Sequence, residues 1–179
     1  MNAIVTVDIP LEEVEEALTA YLEGLFPGVP VIMGLENDEP MPPPQPGFLL
    51  VQPLMQDRLN MPVDTFVQGG NIAPTTSSIS QGIEVNVQID AYGRTAGTWA
   101  SIVSTTFEDA YGFAALAPNC EPLYCNTGRL MPLTNEELQY EKRWCIEAAL
   151  MYTPTVTVAQ QYAEALTLYF KDVNVLFPR

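Results

Sequence analysis

Residues 82–116 read GIEVNVQIDAYGRTAGTWASIVSTTFEDAYGFAAL, and the hydrophobic period of this stretch changes once, at Tyr92-Gly93-Arg94. Before the change every second residue is apolar, from Ile83 to Ala91, which is typical of a half-buried strand. After it, apolar side chains recur at helical spacing, namely Trp99, Ile102, Val103, Phe107, Ala110 and Tyr111. The stretch therefore predicts one strand followed by one amphipathic helix that covers a face of the sheet.

A second helix is predicted near the N-terminus. Asp8 is placed to cap it, Pro10 lies in its first turn, and an apolar stripe runs from Leu11 to Leu25. Its polar side carries glutamates without any cation. These glutamates are either a solvated face or an acidic wall facing a channel or a partner, and the candidates for lumen-facing residues are Glu12, Glu13, Glu15 and Glu16.

A proline-rich segment separates two predicted strands. Residues 29–34 predict a short strand that Pro30 directs toward a sheet edge, and residues 48–56 predict a second strand. Between them, residues 37–47 contain five prolines, which favour an extended arm. The arm is either a rigid surface connection or a contact with a neighbouring subunit, and the candidate contact residues are Pro42, Pro43 and Pro44.

Two regions have no clear period. Residues 57–81 collect glycine, serine, threonine and asparagine, which predicts a long loop, with a hairpin around Gly69-Gly70 as one form of it. Residues 122–133 flank the turn Asn126-Thr127-Gly128, which predicts a hairpin or an extended pair.

The C-terminal third predicts a long strand and an apolar arm. Residues 139–151 alternate like residues 83–91, so we expect these two strands to pair antiparallel. Residues 155–179 begin with a β-branched run and become strongly apolar, so they must pack on their own domain or on a neighbour. The candidate inter-subunit residues there are Tyr169, Phe170, Val175 and Phe177.

Together these elements predict an α+β fold: a mostly antiparallel sheet of about four to five strands, flanked by two main helices, with extended loops and arms. A chain of 179 residues suits one domain, because that length buries roughly 70% of the surface that the unfolded chain exposes. We expect a single domain over residues 1–179, with arms at 37–47 and 155–179 and the long loop at 57–81.

Composition excludes several classes of function. The net charge of −15 argues against gripping nucleic acid, since phosphate binders use clustered cations. The sequence shows neither a membrane span nor a secretory signal. Three cysteines, at spacings that match no zinc pattern, predict free thiols in a reducing compartment.

No residues predict catalysis, a cofactor or a metal centre. The chain has no histidine, which excludes His-assisted serine or cysteine nucleophiles, and no glycine-rich phosphate loop is present. Asp90 and Glu84 could share a face of one strand and hold a divalent cation, although alternating polar residues are more often the wet side of a sheet. We therefore expect no enzyme activity, no cofactor and no metal.

Four segments carry a family resemblance through their order: QIDAYG at 88–93, WASIVSTTF at 99–107, PLY at 122–124 and QYEKRW at 139–144. Together they resemble the neck and tail terminator proteins of tailed bacteriophages. The resemblance implies antiparallel strands flanked by helices, and a ring, commonly hexameric, that caps the tail tube and joins it to the head-side connector and adaptor proteins.

The resemblance further implies that DNA passes through the ring without specific binding, that no membrane is involved, and that the protein is assembled in the host cytoplasm and resides at the virion neck. The first alternative is another connector, stopper or minor tail protein. The second is a soluble enzyme or ligand-binding protein with a carboxylate pocket.

Overall fold

The computed structural model describes residues 5–34, 42, 46–67, 75–134 and 140–160. Within them lie three helices: α1 (Leu11–Leu25), α2 (Ala96–Thr106) and α3 (Ala110–Leu116). The strands of the same ranges are β1 (Val5–Val7), β2 (Val31–Met33), β3 (Phe48–Arg58), β4 (Val63–Val67), β5 (Thr75–Ser80), β6 (Ile83–Tyr92), β7 (Glu121–Cys125), β8 (Arg129–Leu130), β9 (Leu133–Thr134), β10 (Tyr140–Glu141), β11 (Arg143–Tyr152) and β12 (Thr155–Gln160). The α+β prediction is confirmed, with more strands than expected.

The strands form two principal sheets. The large sheet has the order β2-β3-β6-β11-β7, with β8 also paired to β11, and all of its pairings are antiparallel except β2 with β3. The small sheet has the order β1-β12-β5-β4 and is antiparallel throughout. Strands β9 and β10 pair separately. The predicted antiparallel pairing of residues 83–91 with the strand predicted at 139–151 is confirmed from Arg143 onward, with Ile89 opposite Ile146. Tyr140 and Glu141 belong to β10 instead.

The small sheet extends three strands of the large one. Strand β3 leads into β4, β5 leads into β6, and β11 leads into β12, and the lateral order β3-β6-β11 is repeated as β4-β5-β12. Hydrogen bonds connect neighbouring segments at the junction between the two sheets: Leu59 N donates to Gly82 O at 3.0 Å, and Gly82 N donates to Asn60 Oδ1 at 2.9 Å. The small sheet is thus a continuation of the central strands, beyond the part that the helices cover.

The hydrophobic core lies between the three helices and one face of the large sheet. The buried side of α1 contributes Val14, Leu18 and Leu22, and the sheet contributes residues such as Ile89 and Leu150. Tyr21 joins the helices, because its ring meets Phe107 edge to face at 6.0 Å and its hydroxyl lies 2.8 Å from Thr106 Oγ1. This aromatic contact adds about 0.5–1.5 kcal/mol beyond area burial.

The single helix predicted after Arg94 is in fact two helices, α2 and α3. Phe107 is fully buried where α2 ends, and Gly112 packs so closely on the carbonyl oxygens of Thr106 and Phe107 that a Cβ at position 112 would collide with them. The close approach turns α3 toward α1 and β7. The helical phase restarts at Ala110, and Tyr111, predicted on the apolar side, is exposed. Ile102 on α2, also predicted on the apolar side, is exposed as well.

The first helix has the predicted bounds but not the predicted cap. Pro10 occupies the N-cap position, where no described side chain makes a capping hydrogen bond. Asp8 instead accepts hydrogen bonds through Oδ1 from Thr155 N at 2.6 Å and Ile9 N at 2.7 Å. These bonds lower the pKa of the Asp8 carboxyl below its usual 3.8 and tie the end of β1 to the start of β12.

Two further predictions are corrected and two predicted strands are confirmed. The prediction of a long loop at 57–81 is wrong, because β3 continues to Arg58 and β4 pairs antiparallel with β5. These two strands are adjacent in the chain, as in the predicted hairpin, while Gly69 and Gly70 lie outside the described residues. Residues 122–133 form no hairpin: β7 and β8 both lie along β11, one after the other. The strand at 31–33 is at a sheet edge as predicted, and the strand at 48–56 is two residues longer.

Candidate interaction surfaces

The acidic side of α1 is the first candidate surface. Glu12 and Glu16 are exposed, lie one turn apart, and stand on the side of the helix opposite Val14 and Leu18, which are buried. Glu13 and Glu15 are half-buried on the two flanks of the helix. The structure therefore separates the four predicted residues into an exposed pair and two flanking side chains.

The outer face of the large sheet is a second acidic surface. The sequence pattern predicts it only as the solvent-exposed side of the sheet. Asp57 lies opposite Glu84, and Glu121 continues the same row beyond Met151. The Tyr124 hydroxyl lies 3.1 Å from Glu84 Oε1, and this hydrogen bond raises the pKa of Tyr124 above 10.0. The carboxylates of strands far apart in sequence are gathered here by the antiparallel register, which no local pattern encodes.

Asp90 is buried on this outer face and is neutralised by an arginine. Its side chain is 1% exposed, and Arg143 Nη2 donates to Asp90 Oδ2 at 2.6 Å. Gln88 Nε2 donates to the same oxygen at 2.8 Å, whereas Asp90 Oδ1 and Arg143 Nε have no hydrogen-bond partner among the described residues. The hydrogen bond to Asp90 raises the pKa of Arg143, so the guanidinium stays charged.

The predicted alternative of a cation held by Asp90 with Glu84 does not match this geometry. Asp90 bonds to Arg143, and Glu84 bonds to Tyr124 and to Asn86 Nδ2 at 3.3 Å. Six residues separate the two carboxylates along β6, which is about 20 Å. Across the part of the chain that the structure describes, no group of three or more histidine, cysteine, aspartate or glutamate side chains is placed to hold a metal ion.

The three cysteines are free thiols, as predicted. Cys120 and Cys145 are buried and Cys125 is half-buried. Burial raises the thiol pKa of Cys120 to about 11 and that of Cys125 to about 12, and burial with the nearby Asp90 raises the pKa of Cys145 to about 11. Thiols in this state are poor nucleophiles near neutral pH, because the thiolate is the reactive form.

The small sheet and the strand end beside it carry the most concentrated exposed apolar surface of the described residues. Phe66 on β4 is 65% exposed, and Val5 on β1 is 59% exposed. The neighbouring exposed apolar residues are Val7, Leu54, Met55, Leu59, Met61 and Val63. Monomeric proteins rarely leave large apolar patches in water, so this surface indicates contact with another segment or another protein.

The residues predicted at subunit contacts fall mostly outside the described ranges. Pro42 is half-buried. Pro43, Pro44, Tyr169, Phe170, Val175 and Phe177 lie outside the described residues, so their predicted role stays a prediction.

No helix in residues 5–34, 75–134 or the other described ranges is long and apolar enough to cross a membrane. The described residues present two acidic faces and an exposed apolar sheet, and the apolar sheet indicates contact with another segment or another protein. A family model described as phage neck terminator protein matches residues 12–174. The chain therefore belongs to the phage neck terminator protein family and is a component of the phage neck, among the other head-to-tail proteins of the virion. A search of curated proteins returns no match.

Proposed function

We propose that this chain is the subunit of a homo-oligomeric ring, a hexamer, that ends the tail tube and joins it to the head-side connector. The ring has a structural role without catalysis, and DNA passes through its lumen. Membership of the neck terminator family over residues 12–174 is the observation that carries this proposal. The exposed apolar side chains of the small sheet support it, because a head-to-tail ring needs a surface on each subunit that its neighbour covers.

The electrostatics of the chain suit a DNA passage. A net charge of −15 repels the phosphate backbone, so DNA slides past such a surface instead of binding to it. We assign the lumen to the glutamates of α1, with the exposed Glu12 and Glu16 pointing toward DNA and Glu13 and Glu15 beside them. The proline-rich residues Pro42, Pro43 and Pro44 and the apolar C-terminus make the subunit contacts.

Light scattering on the purified protein tests the ring. The expected mass is near six times the 19.7 kDa of one chain. A protein that stays monomeric at high concentration, and is not found as a ring in particles, would contradict the proposal.

Charge reversal tests the lumen. Glu12→Lys with Glu16→Lys changes two exposed side chains, so the ring mass should not change, while added cations facing DNA should slow ejection in a salt-dependent way. The matched control is Glu121→Lys with Glu147→Lys, two exposed carboxylates on the outer face of the large sheet. Normal ejection by the α1 variant, with slow ejection by the control, would move the lumen to the sheet face.

A further inference from the structure

The register of the small sheet sorts its side chains into two different faces. Residues directly opposite each other in antiparallel strands share a face. One row joins Val5, Val158, Ser77 and Phe66, and the next row of the same face joins Val7, Val156, Ile79 and Asp64. We call this side the apolar face. The opposite side, the hydroxyl face, carries mostly hydroxyl side chains, together with Val63, Val67 and Ala159. Its hydroxyl residues are Thr6, Thr65, Thr76, Ser78, Ser80, Thr155 and Thr157.

The apolar face continues the side of the large sheet that the helices cover. Side chains along a strand alternate between two faces, so counting back by twos places Ile79 on the same side as Ile83, and counting forward by twos places Val156 on the same side as Tyr152. Ile83 and Tyr152 both pack in the hydrophobic core. The described helices pack on strands of the large sheet and on one another. The apolar face of the small sheet therefore resembles the core side of the fold in composition, but its outer strands are open to solvent, as the 65% exposure of Phe66 shows.

The size of this face limits what can cover it. Four strands of about five residues make a surface of about 19 by 17 Å. A helix is about 10 Å across and reaches 18 Å in about 12 residues, so the face accommodates one or two chain segments better than a whole globular domain.

The C-terminal segment, residues 161–179, has the matching composition. It carries apolar residues three or four positions apart, at Tyr162, Leu166, Tyr169, Val173 and Leu176, which is the spacing of one continuous apolar stripe. Its side-chain charges cancel, Glu164 and Asp172 against Lys171 and Arg179, in a chain whose net charge is −15. It can therefore approach an acidic subunit without net repulsion. Among the described residues of the apolar face, Asp64 is the one charged side chain, and its charge is opposite to that of Lys171.

The path of the chain favours a neighbouring copy over the same copy. Strand β12 runs away from the large sheet and ends at Gln160, paired with Thr75 at the far end of the small sheet. Residues 161–177 contain neither glycine nor proline, the residues that most readily reverse a chain. The sequence of the segment thus contains no turn signal that would return it to the apolar face of its own copy.

We propose that the apolar face of the small sheet binds the C-terminal segment, residues 161–179, of a second copy of this chain. This inference rests on the ring proposed above and names its principal contact: each subunit donates one segment and accepts another. Such a donor and acceptor pair is heterologous, as ring closure requires.

Cysteine cross-linking between two distinguishable copies tests the contact. One copy carries Phe66→Cys and a large tag, and the other carries Tyr169→Cys and a small tag. Mild oxidation at pH 8 should give a disulfide-linked mixed dimer, because the native thiols have pKa values of about 11 to 12 and react slowly. The control replaces Phe66→Cys by Thr65→Cys, the adjacent exposed residue on the hydroxyl face, and should give little mixed product.

A chain carrying both Phe66→Cys and Tyr169→Cys separates the remaining outcomes. A ladder of linked subunits supports docking between copies. A monomer linked within itself would overturn the proposal in favour of docking on the same copy. Intact rings without any cross-link would overturn the docking site and leave the ring standing, whereas monomers under all conditions would overturn the ring as well.

Discussion

Removing the arginine that faces Asp90 gives the sharpest test of the packing described above. Asp90 is 1% exposed and its charge is balanced by Arg143 and by one amide, that of Gln88. Arg143→Ala leaves a buried carboxylate without its cation, and breaking a buried pair in this way costs about 3–5 kcal/mol. At roughly 2–4 °C per kcal/mol for a chain of this length, the melting temperature should fall by on the order of 6–20 °C.

The assay is urea unfolding followed by tryptophan fluorescence, with two companion variants. Arg129→Ala removes an exposed arginine from the neighbouring strand and should change the unfolding free energy by no more than about 0.5 kcal/mol. Asp90→Leu with Arg143→Met removes both charges, and with them Asp90 Oδ1, which has no partner within the described part of the chain, so most of the lost stability should return. A loss below about 1 kcal/mol in Arg143→Ala would refute the claim that this pair is buried and coupled.

Four further outcomes are expected. Phe107→Ala empties a fully buried site between α1 and α2 and should cost about 3–5 kcal/mol in urea unfolding; a loss below 1 kcal/mol would contradict the described core. The pKa of the Cys120 thiol is about 11 in the folded protein, against about 8.5 in the unfolded chain. Its contribution to stability is therefore complete below about pH 8.5 and is lost as the pH rises toward 11. The free energy of unfolding should fall less steeply over this pH range in Cys120→Ala. The lowered pKa of Asp8 stabilises the fold above about pH 4, and this stabilisation is lost as the pH falls. The variant Asp8→Asn should therefore lose less stability on acidification. An unchanged dependence of stability on pH would argue against the hydrogen bond to Thr155. Truncation after Leu168 should yield soluble monomers in light scattering, and unchanged rings would show that the C-terminus does not join subunits.

The elements with a strong period could be predicted from the sequence. The alternation of Ile83 to Ala91 and of the strand containing Ile146 gave both strands and their antiparallel pairing, since each has one buried face. The stripe from Leu11 to Leu25 gave α1 with its bounds. In each case one local pattern agrees with the packing that buries it.

The remaining features depend on contacts between distant residues. The helix breaks after α2 where Gly112 packs closely against the backbone of Phe107. A glycine within an apolar helical pattern does not by itself predict such a contact. Strand β5 escapes sequence-based prediction because serine and threonine occupy all of its positions except Ile79. Strand β4 escapes it because Val63 and Phe66 lie on opposite faces, so its apolar residues do not alternate.

One candidate surface could be predicted from a local pattern, and the other two depend on contacts between distant residues. The acidic side of α1 could be found from helical spacing, because it is local. The acidic outer face of the large sheet and the apolar face of the small sheet appear only when the register places Asp57 beside Glu84 and Phe66 beside Ser77. The family could be inferred from the order of short segments, and the match over residues 12–174 confirms it.

A three-dimensional map of the intact phage neck tests the central proposal most directly. The account predicts a ring of this protein between the end of the tail tube and the head-side connector, with the C-terminal segment of each subunit on the apolar face of the next. Finding the protein elsewhere in the particle, or as a single copy at the neck, would contradict it.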